Sequence, residues 1–306
     1  MARNDEADEA ALDDSYETLQ PINVVEAEKV LKEIKQILDG LGITFFLHSG
    51  VCLGAVRDKG IMPWDDDLDL GVVMGLYGAT EELIDPVVTA FKNNDFITGI
   101  RPQDQHISVP LLKSTIRTDL QFHRIINGHI FHYPGIMTPL RLFTNLKEID
   151  FLGEKFYVPN PPEEYLRLKY GEDWRTPKPI GYYGKDILDQ VPEGPLPGRP
   201  GKLKQSLIKH LMPGRATRIK VLDPEGNPVA GAEVIIAGWG SSKTNSQGCA
   251  KLYVPFDFIF ALMIKFANHE EVLYEEKLAC GETYLYRADA EKTSGRNFIL
   301  TDESRD

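Results

Sequence analysis

Between Leu47 and Leu70 the chain reads LHSGVCLGAVRDKGIMPWDDDLDL, and this stretch decides the fold. It combines a turn of small residues, two cationic side chains and five carboxylates. Asp65, Asp67 and Asp69 share one parity of an extended segment, so their side chains fall on one face at intervals of about 7 Å. Like charges this close repel one another unless a divalent cation holds them. The spacing therefore predicts a metal-dependent phosphoryl-transfer site.

The segments that flank the acids predict buried strands. An apolar run, Leu-Gly-Val-Val, follows Asp69, and residues 43–48 form a second apolar run upstream. Pro63 and Trp64 close the loop that precedes the acids. Carboxylates at the mouth of a buried strand are costly without a ligand. Trp64 itself has two open interpretations, stacking on a base or sugar and packing beside the proline.

Two other interpretations of the acidic run compete with catalysis. A solvated acidic loop is the usual structure of a carboxylate run, but the flanking strands and the strict alternation disfavour it here. An EF-hand calcium loop also begins with alternating aspartates. That loop requires Gly at its sixth position and Glu at its twelfth, where this chain has Leu70 and Leu76. The calcium-loop interpretation is therefore set aside.

The small residues after the first strand predict a phosphate-binding turn. Ser49, Gly50 and Gly54 would let backbone N–H groups approach a phosphate closely. Arg57 and Lys59 follow them and would supply the positive charge that a diphosphate needs. These residues are the predicted binding site for a polyphosphate.

Two long motifs carry a family resemblance. The run LGAVRDKGIMPWDDDLD at 53–69 resembles the signature of the LicD and fukutin-type transferases, a branch of the polymerase-β-like nucleotidyltransferase superfamily. The second signature of that family is similar to FLGEKFYVPN at 151–160, followed by YLRLKYGEDWRTP at 165–177. The resemblance spans roughly residues 24 to 180. It implies an α/β fold, with a mixed nucleotidyltransferase-like sheet and flanking helices.

The resemblance also implies a reaction. Enzymes of this family move a phospho-alcohol group, such as phosphocholine or a pentitol phosphate, from a cytidine-diphosphate donor to a glycan hydroxyl, and they release CMP. Their working parts are a Gly/Ser turn, a pair of acids and a third acid on a later strand. By position the pair is Asp67 and Asp69, with Asp65 assisting, and the third acid is Asp119. Together these four acids would bind Mg²⁺ or Mn²⁺.

The residues around Asp119 support that assignment independently. Residues 116–122 alternate, with Ile116 and Phe122 on one face and Arg117 and Asp119 on the other. One face would pack into a core and the other would line a cleft. The alternative is an ordinary half-exposed strand whose Arg and Asp pair with neighbours.

Other local patterns are structural. Asn23 and Glu26 form a capping box for an amphipathic helix that Gly40 and Gly42 end, and residues 165–170 continue as a second helical segment. Asn127-Gly128 predicts a hairpin with a histidine on each of two paired strands. No zinc site is predicted, because the histidines lack cysteine partners at ligand spacing. The apolar helix positions are Ala27, Leu31, Ile34, Leu38 and Leu41.

Composition sets the broader limits. With 306 residues, 42% of them hydrophobic, the chain can build two cores. A net charge of −12 disfavours nucleic acid as a partner. Three cysteines, Cys52, Cys249 and Cys280, form no even disulfide framework, which favours the cytoplasm. Residues 1–20 are acidic and are expected to be flexible; they resemble no signal peptide, and no run reaches the length of a membrane span.

The predicted domains are a catalytic domain at 21–183, a Pro/Gly-rich basic linker at 184–217, a β-sandwich at 218–292 and a polar tail at 293–306. The basic segment 199–220 would dock between the domains or touch the inner face of an anionic membrane, where a lipid-linked acceptor would lie. The sandwich follows from short strands at regular spacing. Its pattern around Asp223 and Gly231 resembles carboxypeptidase regulatory-like, prealbumin-type domains.

The sequence thus favours a transferase that modifies a surface or capsular polysaccharide or a lipopolysaccharide, with a CDP-linked donor and a glycan acceptor as partners. One alternative keeps the fold but transfers the nucleotide from a nucleoside triphosphate to a small molecule, with release of pyrophosphate. A second alternative is a glycan-binding protein on a scaffold that has lost catalysis.

Overall fold

The computed structural model describes residues 5–18, 20–103, 105–134, 136–178, 216–254, 258–289, 294–296 and 299–302. The chain divides into two compact units. The first comprises Met1–His132 and Met137–Arg175, and the second comprises Tyr133–Ile136 and Thr176–Asp306. The predicted linker and most of the basic segment 199–220 lie outside the described residues.

A mixed sheet forms the centre of the first unit. Its strands are β1 (Phe46–Leu47), β2 (Asp67–Val73), β3 (Ile97–Thr98), β4 (Arg101–Pro102), β5 (His106–Lys113) and β6 (Ile116–His123).

The strand order in this sheet is β1-β2-β6-β5-β3, with β4 paired beside β5. Only the β2–β6 pair among them is parallel, and the other pairs are antiparallel. Both central strands are apolar on their inner positions, and Leu68, Leu70 and Leu120 are fully buried. The parallel pair in the middle of the sheet is what brings the two acidic segments side by side.

Within the described part of the chain, five α-helices and two short strand pairs accompany this sheet. The helices are α1 (Asp5–Glu17), α2 (Val24–Gly40), α3 (Ser49–Leu53), α4 (Ile84–Asn93) and α5 (Pro162–Tyr170). The additional strands are β7 (His129–His132), β8 (Ile136–Pro139), β9 (Lys147–Phe151) and β10 (Glu154–Val158).

Helix α2 follows the pattern predicted for it. The Asn23 side chain accepts a hydrogen bond from the Glu26 backbone N–H at 3.2 Å, which caps the first turn. Leu41 differs from the prediction: it lies after the helix and is 38% exposed. The buried face is Ala27, Val30, Leu31, Ile34 and Leu38.

The N-terminal segment differs from its prediction, because residues 5–17 form helix α1 instead of a flexible extension. This helix contains seven acidic residues and no lysine or arginine. Leu12 and Tyr16, one turn apart, share a face, and Leu12 is 1% exposed. The acidic composition concealed this short apolar face.

The predicted hairpin at Asn127-Gly128 is present, but its strands pair differently. A single bridge joins Ile126 to His129, and β7 pairs with β8 instead of with β6. His123 ends β6 inside the central sheet and is fully buried, so it packs in the core.

The second unit contains two sheets around one apolar core. The first sheet has the order β14-β11-β17-β19 and the second the order β13-β12-β15-β16-β18. Their strands are β11 (Thr217–Leu222), β12 (Glu233–Ile236), β13 (Gly240–Lys243), β14 (Cys249–Leu252), β15 (Phe258–Phe266), β16 (His269–Leu278), β17 (Thr283–Arg287), β18 (Ser294–Arg296) and β19 (Thr301–Asp302).

Both of these sheets contribute side chains to the same core. Ile219 and Tyr286 come from one sheet, and Val234, Leu262 and Leu273 come from the other. This arrangement confirms the predicted fold class, a mixed α/β unit with a small β-sandwich. Not every pair is antiparallel as predicted, since β11 pairs with β17 and β16 with β18 in parallel. The resemblance to prealbumin-type domains stays a prediction.

Candidate active site

The acidic side chains meet where β2 and β6 run side by side. In this parallel pair Asp67 lies opposite Arg117, and Asp69 lies opposite Asp119. Alternation then places Asp67, Asp69 and Asp119 on the same face of the sheet. One carboxylate oxygen from each of these three residues lies within 4.8 Å of the others.

A second group of carboxylates adjoins the first. Asp65, Asp66 and Asp67 also have oxygens within 4.8 Å of one another, so Asp67 belongs to both groups. The turn before β2 creates this group, with the Asp65 N–H donating to the Met62 carbonyl at 3.2 Å. Asp119 is buried, whereas Asp65, Asp67 and Asp69 are partly exposed. The cluster therefore has one open side and a closed base.

Arg117 is the cation within this cluster. Its Nη2 donates to Asp66 Oδ2 at 2.5 Å and to Asp67 Oδ2 at 2.7 Å, and its side chain is 7% exposed. A buried guanidinium with two carboxylates is paired and hydrogen-bonded, as a buried charge must be. The sequence placed Arg117 on the face of Asp119 but did not identify these partners.

Arg117 alone does not compensate the five carboxylates of the two groups. Burial raises the pKa of Asp65 and of Asp69 well above the usual range, and the neighbouring Asp67 raises both further. Burial and Asp67 raise the pKa of Asp66 to about 6, although Arg117 opposes the shift. Burial also raises the pKa of Asp119. A divalent cation among these oxygens would remove the like-charge repulsion that adds to the effect of burial.

The predicted phosphate turn lies directly beside the acids. Ser49 has a left-handed backbone conformation, with φ of 40°, and its N–H donates to the Tyr165 hydroxyl at 3.0 Å. A Cβ atom at Gly50 would lie 2.2 Å from Asp65 Oδ2, so only glycine lets this carboxylate approach. At Gly54 a Cβ would lie 2.5 Å from the Gly60 carbonyl oxygen. Gly50 thus touches the acid cluster, and Gly54 closes the turn.

Arg57 and Lys59, the cations predicted to bind the donor, lie on the later part of this turn. Arg57 is 6% exposed, and its guanidinium binds the Asp58 carboxylate at 2.8 Å and the Trp174 carbonyl at 3.4 Å. Lys59 is exposed, and its ammonium donates to the Val56 carbonyl at 3.0 Å. Trp64 is 38% exposed, next to the acids. The structure therefore joins Arg57 to the second sequence signature instead of to the carboxylates.

Helix α5 supplies a second cation beneath the cluster. Lys169 is 5% exposed, and its Nζ lies 3.2 Å from His132 Nδ1. Burial lowers the pKa of Lys169 to about 8, while Asp69 and Asp67 oppose the shift. His48 lies in the same layer, with its ring centroid 4.9 Å from that of His132. The second sequence signature thus places the Lys169 ammonium near Asp69 and the Tyr165 hydroxyl on the backbone N–H of Ser49.

Helix α1 covers part of the cluster from the other side. The Tyr16 hydroxyl donates to Asp119 Oδ1. The Arg117 guanidinium carbon lies 4.4 Å from the centroid of the Tyr16 ring, and its Nη1 donates to the Ser15 carbonyl at 3.1 Å. No motif marked Tyr16, because its contact spans 103 residues of sequence.

The donor set fits a hard divalent cation. All candidate ligands are carboxylate oxygens, which Mg²⁺ and Mn²⁺ prefer, and three residues on two strands converge within one coordination sphere. Asp67 raises the pKa of Asp65 and of Asp69 in addition to the effect of burial, and a cation held among these carboxylates would relieve that repulsion. Among the described residues, no cluster that includes His or Cys has comparable ligand spacing.

Comparison with known proteins locates this site within a family domain. Residues 42–161 match the family model described as LicD/FKTN/FKRP, nucleotidyltransferase domain. The match covers less than half of the chain, and this part of the chain is similar to LicD domains. The matched region includes both acidic strands and the phosphate turn, but it ends before α5 and begins after α2.

Curated relatives are similar over the same part of the chain. The ribitol-5-phosphate transferase FKTN of Homo sapiens is 27% identical over 171 residues, which is 51% of this chain and 36% of that protein. The ribitol 5-phosphate transferase FKRP of Homo sapiens is 26% identical over 146 residues, 44% of this chain and 29% of that protein. The uncharacterized protein RP689 of Rickettsia prowazekii is 42% identical over 45 residues, 15% of this chain and 17% of that protein. The chain thus spans about a third of the length of the transferases that it matches.

The described helices are too short or too polar to cross a membrane.

Proposed function

We propose that this chain transfers a phospho-alcohol group from a CDP-linked donor to a glycan hydroxyl, with Mg²⁺ or Mn²⁺ as cofactor. The observation that carries the proposal is the convergence of Asp67, Asp69 and Asp119 on one face of two parallel strands. The names of the curated relatives favour ribitol phosphate as the first group to test. Phosphocholine and other polyol phosphates follow as candidates.

Each acid has a role in this proposal. Asp67, Asp69 and Asp119 would hold the metal, with Asp65 assisting at the open side. When bound, the metal supplies positive charge that neutralises the donor diphosphate and aligns its phosphorus for attack. Asp119, the most buried of these acids, would keep one carboxylate oxygen free of the metal to accept the proton of the acceptor hydroxyl.

The proposed step balances in atoms and charge. The acceptor oxygen forms a bond to the phosphorus that carries the alcohol, and the bond from that phosphorus to the bridging oxygen breaks. CMP leaves with the bridging oxygen, and the acceptor proton passes to Asp119. Lys169 beneath Asp69 contributes positive charge to the site. Arg57 holds the turn against Trp174, and Lys59 and Trp64 are the exposed residues assigned to the donor.

A second candidate is nucleotidyl transfer from a nucleoside triphosphate, which the description of the matched family model favours. It uses the same carboxylates but attacks the α-phosphorus and releases pyrophosphate. The two reactions therefore differ in their products. The acceptor also differs: a capsular or other surface glycan at the membrane face belongs to the first proposal, and a small molecule belongs to the second candidate.

The test is titration calorimetry with product analysis on the full chain. CDP-ribitol, CDP-glycerol, CDP-choline and CTP are titrated with and without Mn²⁺, and released CMP and pyrophosphate are quantified. We expect Mn²⁺-dependent binding of one CDP-alcohol that is lost when Asp67→Asn and Asp69→Asn are combined. Asp150→Asn is the matched control, because Asp150 is exposed and its partner is Lys155 on the surface.

Each outcome decides between the candidates. Preference for CTP with pyrophosphate release would replace the proposal with nucleotidyl transfer. Metal-independent binding without any product would favour a glycan-binding role and overturn both reactions. Loss of binding in the Asp150 control would show that the effect of the double variant is not specific to the cluster.

A further inference from the structure

Helix α1 holds a hydroxyl at the buried acid of the cluster. The Tyr16 hydroxyl donates to Asp119 Oδ1, and the guanidinium groups of Arg117 and Arg101 lie 4.4 Å and 4.6 Å from the centroid of its ring. The Ser15 carbonyl accepts from Arg117 at 3.1 Å. Tyr16 therefore contacts both the predicted base and the cation that compensates Asp66 and Asp67.

The remaining attachment of α1 is slight. Leu12 is its buried apolar anchor, at 1% exposure. Arg101 binds Asp13 at 2.8 Å and Glu9 at 3.4 Å, but both carboxylates are more than half exposed. Ion pairs that face water contribute little. The attachments of α1 are thus one buried leucine, the ring and hydroxyl of Tyr16, the Ser15 carbonyl and surface ion pairs, and none of them belongs to the backbone pairing of the sheet.

The position of the Tyr16 hydroxyl matches a requirement of the proposed reaction. An acceptor hydroxyl must donate a hydrogen bond to the base before it loses its proton. Tyr16 is also an alcohol-type donor, and it occupies an oxygen of Asp119. We propose that Tyr16 stands in the place of the acceptor hydroxyl, so that α1 must be displaced before an acceptor binds. This inference rests on the proposed function, because it takes Asp119 as the base.

The charge of α1 strengthens the inference. The helix carries seven acidic residues and no lysine or arginine, and Glu9 and Asp13 bind Arg101 beside the site. Arg101, whose side chain is 25% exposed, is a cation that an anionic glycan or phosphate could otherwise bind. The helix thus competes for both the base and the positive charge near it. An acceptor that carries its own negative charge is the class of ligand best suited to displace α1.

If α1 covers the site, the apparent affinity of the protein for the acceptor depends on the fraction of molecules in which the site is open. When only a fraction of the protein is competent, the apparent dissociation constant rises by the inverse of that fraction. A hydrogen bond to a charged group corresponds to about tenfold or more in such a ratio. Removal of the Tyr16 hydroxyl should therefore lower the KM for an acceptor by about tenfold, with a smaller change in kcat.

The experiment uses the full chain with Mn²⁺, CDP-ribitol as donor and glycerol as a probe acceptor. CMP release gives kcat and the KM for glycerol, and hydrogen–deuterium exchange reports the protection of amides 5–18. Tyr16→Phe keeps the ring beside the arginines but removes the hydroxyl. Leu12→Asp removes the buried anchor and should release the helix. Asp14→Asn, an exposed change on the same helix, is the control.

The inference predicts that Leu12→Asp increases exchange in residues 5–18 and that both test variants lower the KM for glycerol, while Asp14→Asn changes neither. Increased hydrogen–deuterium exchange in residues 5–18 together with an unchanged KM for glycerol would overturn this inference but not the proposed function. Mass addition at Tyr16 from the donor would also overturn it, because the tyrosine would then be a substrate and not a blocking group. No CMP release by any variant, including the released one, would overturn the proposed function as well.

Discussion

Asp69 on β2 lies directly opposite Asp119 on β6 in the parallel pairing of the two central strands. Parallel register keeps paired side chains on one face, so two acids that are distant in the sequence lie next to each other on the sheet. The strands themselves are largely buried, and their pairing sets the distance between the carboxylates. Because the carboxylates repel one another whenever the metal is absent, this arrangement lowers the free energy of unfolding of the metal-free protein.

The first prediction concerns Asp69→Asn. We expect the variant to bind Mn²⁺ more than about tenfold more weakly, because the affinity of oxygen sites follows their ligand charge. The metal-free variant should be more stable than the wild type by about 1 kcal/mol, because one buried like charge is removed. Calorimetric titration and urea unfolding in EDTA measure the two effects. Equal Mn²⁺ affinity, or a less stable metal-free variant, would contradict the assignment.

The second prediction concerns Arg117→Met. Its guanidinium is buried and pairs with Asp66 and Asp67, so its removal leaves carboxylates uncompensated. We expect a loss of about 3–5 kcal/mol in the free energy of unfolding without metal. Mn²⁺ should stabilise this variant more than it stabilises the wild type, since the metal replaces the missing charge. Urea unfolding with and without Mn²⁺ measures both quantities.

Arg141→Met is the control for this change. Arg141 binds Glu164 on the surface, with a side chain that is 60% exposed. Its removal should leave the unfolding midpoint unchanged, with and without metal. A loss of stability at Arg117 no larger than at Arg141 would contradict the role given to the buried cation.

Much of the site followed from the sequence because it depends on short-range rules. Alternation put Asp67 and Asp69 on one face, and the same rule put Arg117 beside Asp119. The small residue at Gly50 is explained by the close approach of Asp65. These relationships are local to one strand or one turn, where the backbone geometry determines which way each side chain points.

The parts that the sequence did not predict depend on long-range packing. Tyr16 reaches Asp119 only because α1 docks on the sheet, and a helix with seven acids gave no sign of a docking face. The hydrogen bond from Arg57 to the Trp174 carbonyl also spans more than a hundred residues, while the role of Arg57 in donor binding stays a prediction. The parallel pairing of β11 with β17 likewise joins strands that are far apart in the chain. No periodicity in a single segment contains such information.

The third prediction concerns Gly50→Ala. The added Cβ would lie 2.2 Å from Asp65 Oδ2, so the carboxylate or the turn must move. We expect a loss of about 1–3 kcal/mol in the free energy of unfolding, as for other overpacked sites, together with weaker Mn²⁺ binding. Gly40→Ala is the control, because nothing lies within 4 Å of its added Cβ, and it should stabilise the helix by up to about 1 kcal/mol. Equal effects at the two glycines would show that the approach of Asp65 is not required.

The fourth prediction concerns the pH dependence of stability. Burial, reinforced by His106, lowers the pKa of His123 to about 3, so the folded protein keeps this ring neutral while the unfolded chain protonates it near pH 6.5. Between these values the unfolded state binds more protons, so His123 makes stability rise with pH, by about 1.4 kcal/mol per unit. Asp66, whose pKa is raised to about 6, acts in the opposite sense as its folded form retains a proton. The comparison of wild type with His123→Gln cancels that term, because both proteins contain Asp66. Urea unfolding at pH 7.0, 6.0, 5.0 and 4.5 should show that the wild type loses stability more steeply than the variant on acidification, and equal slopes would contradict the assignment.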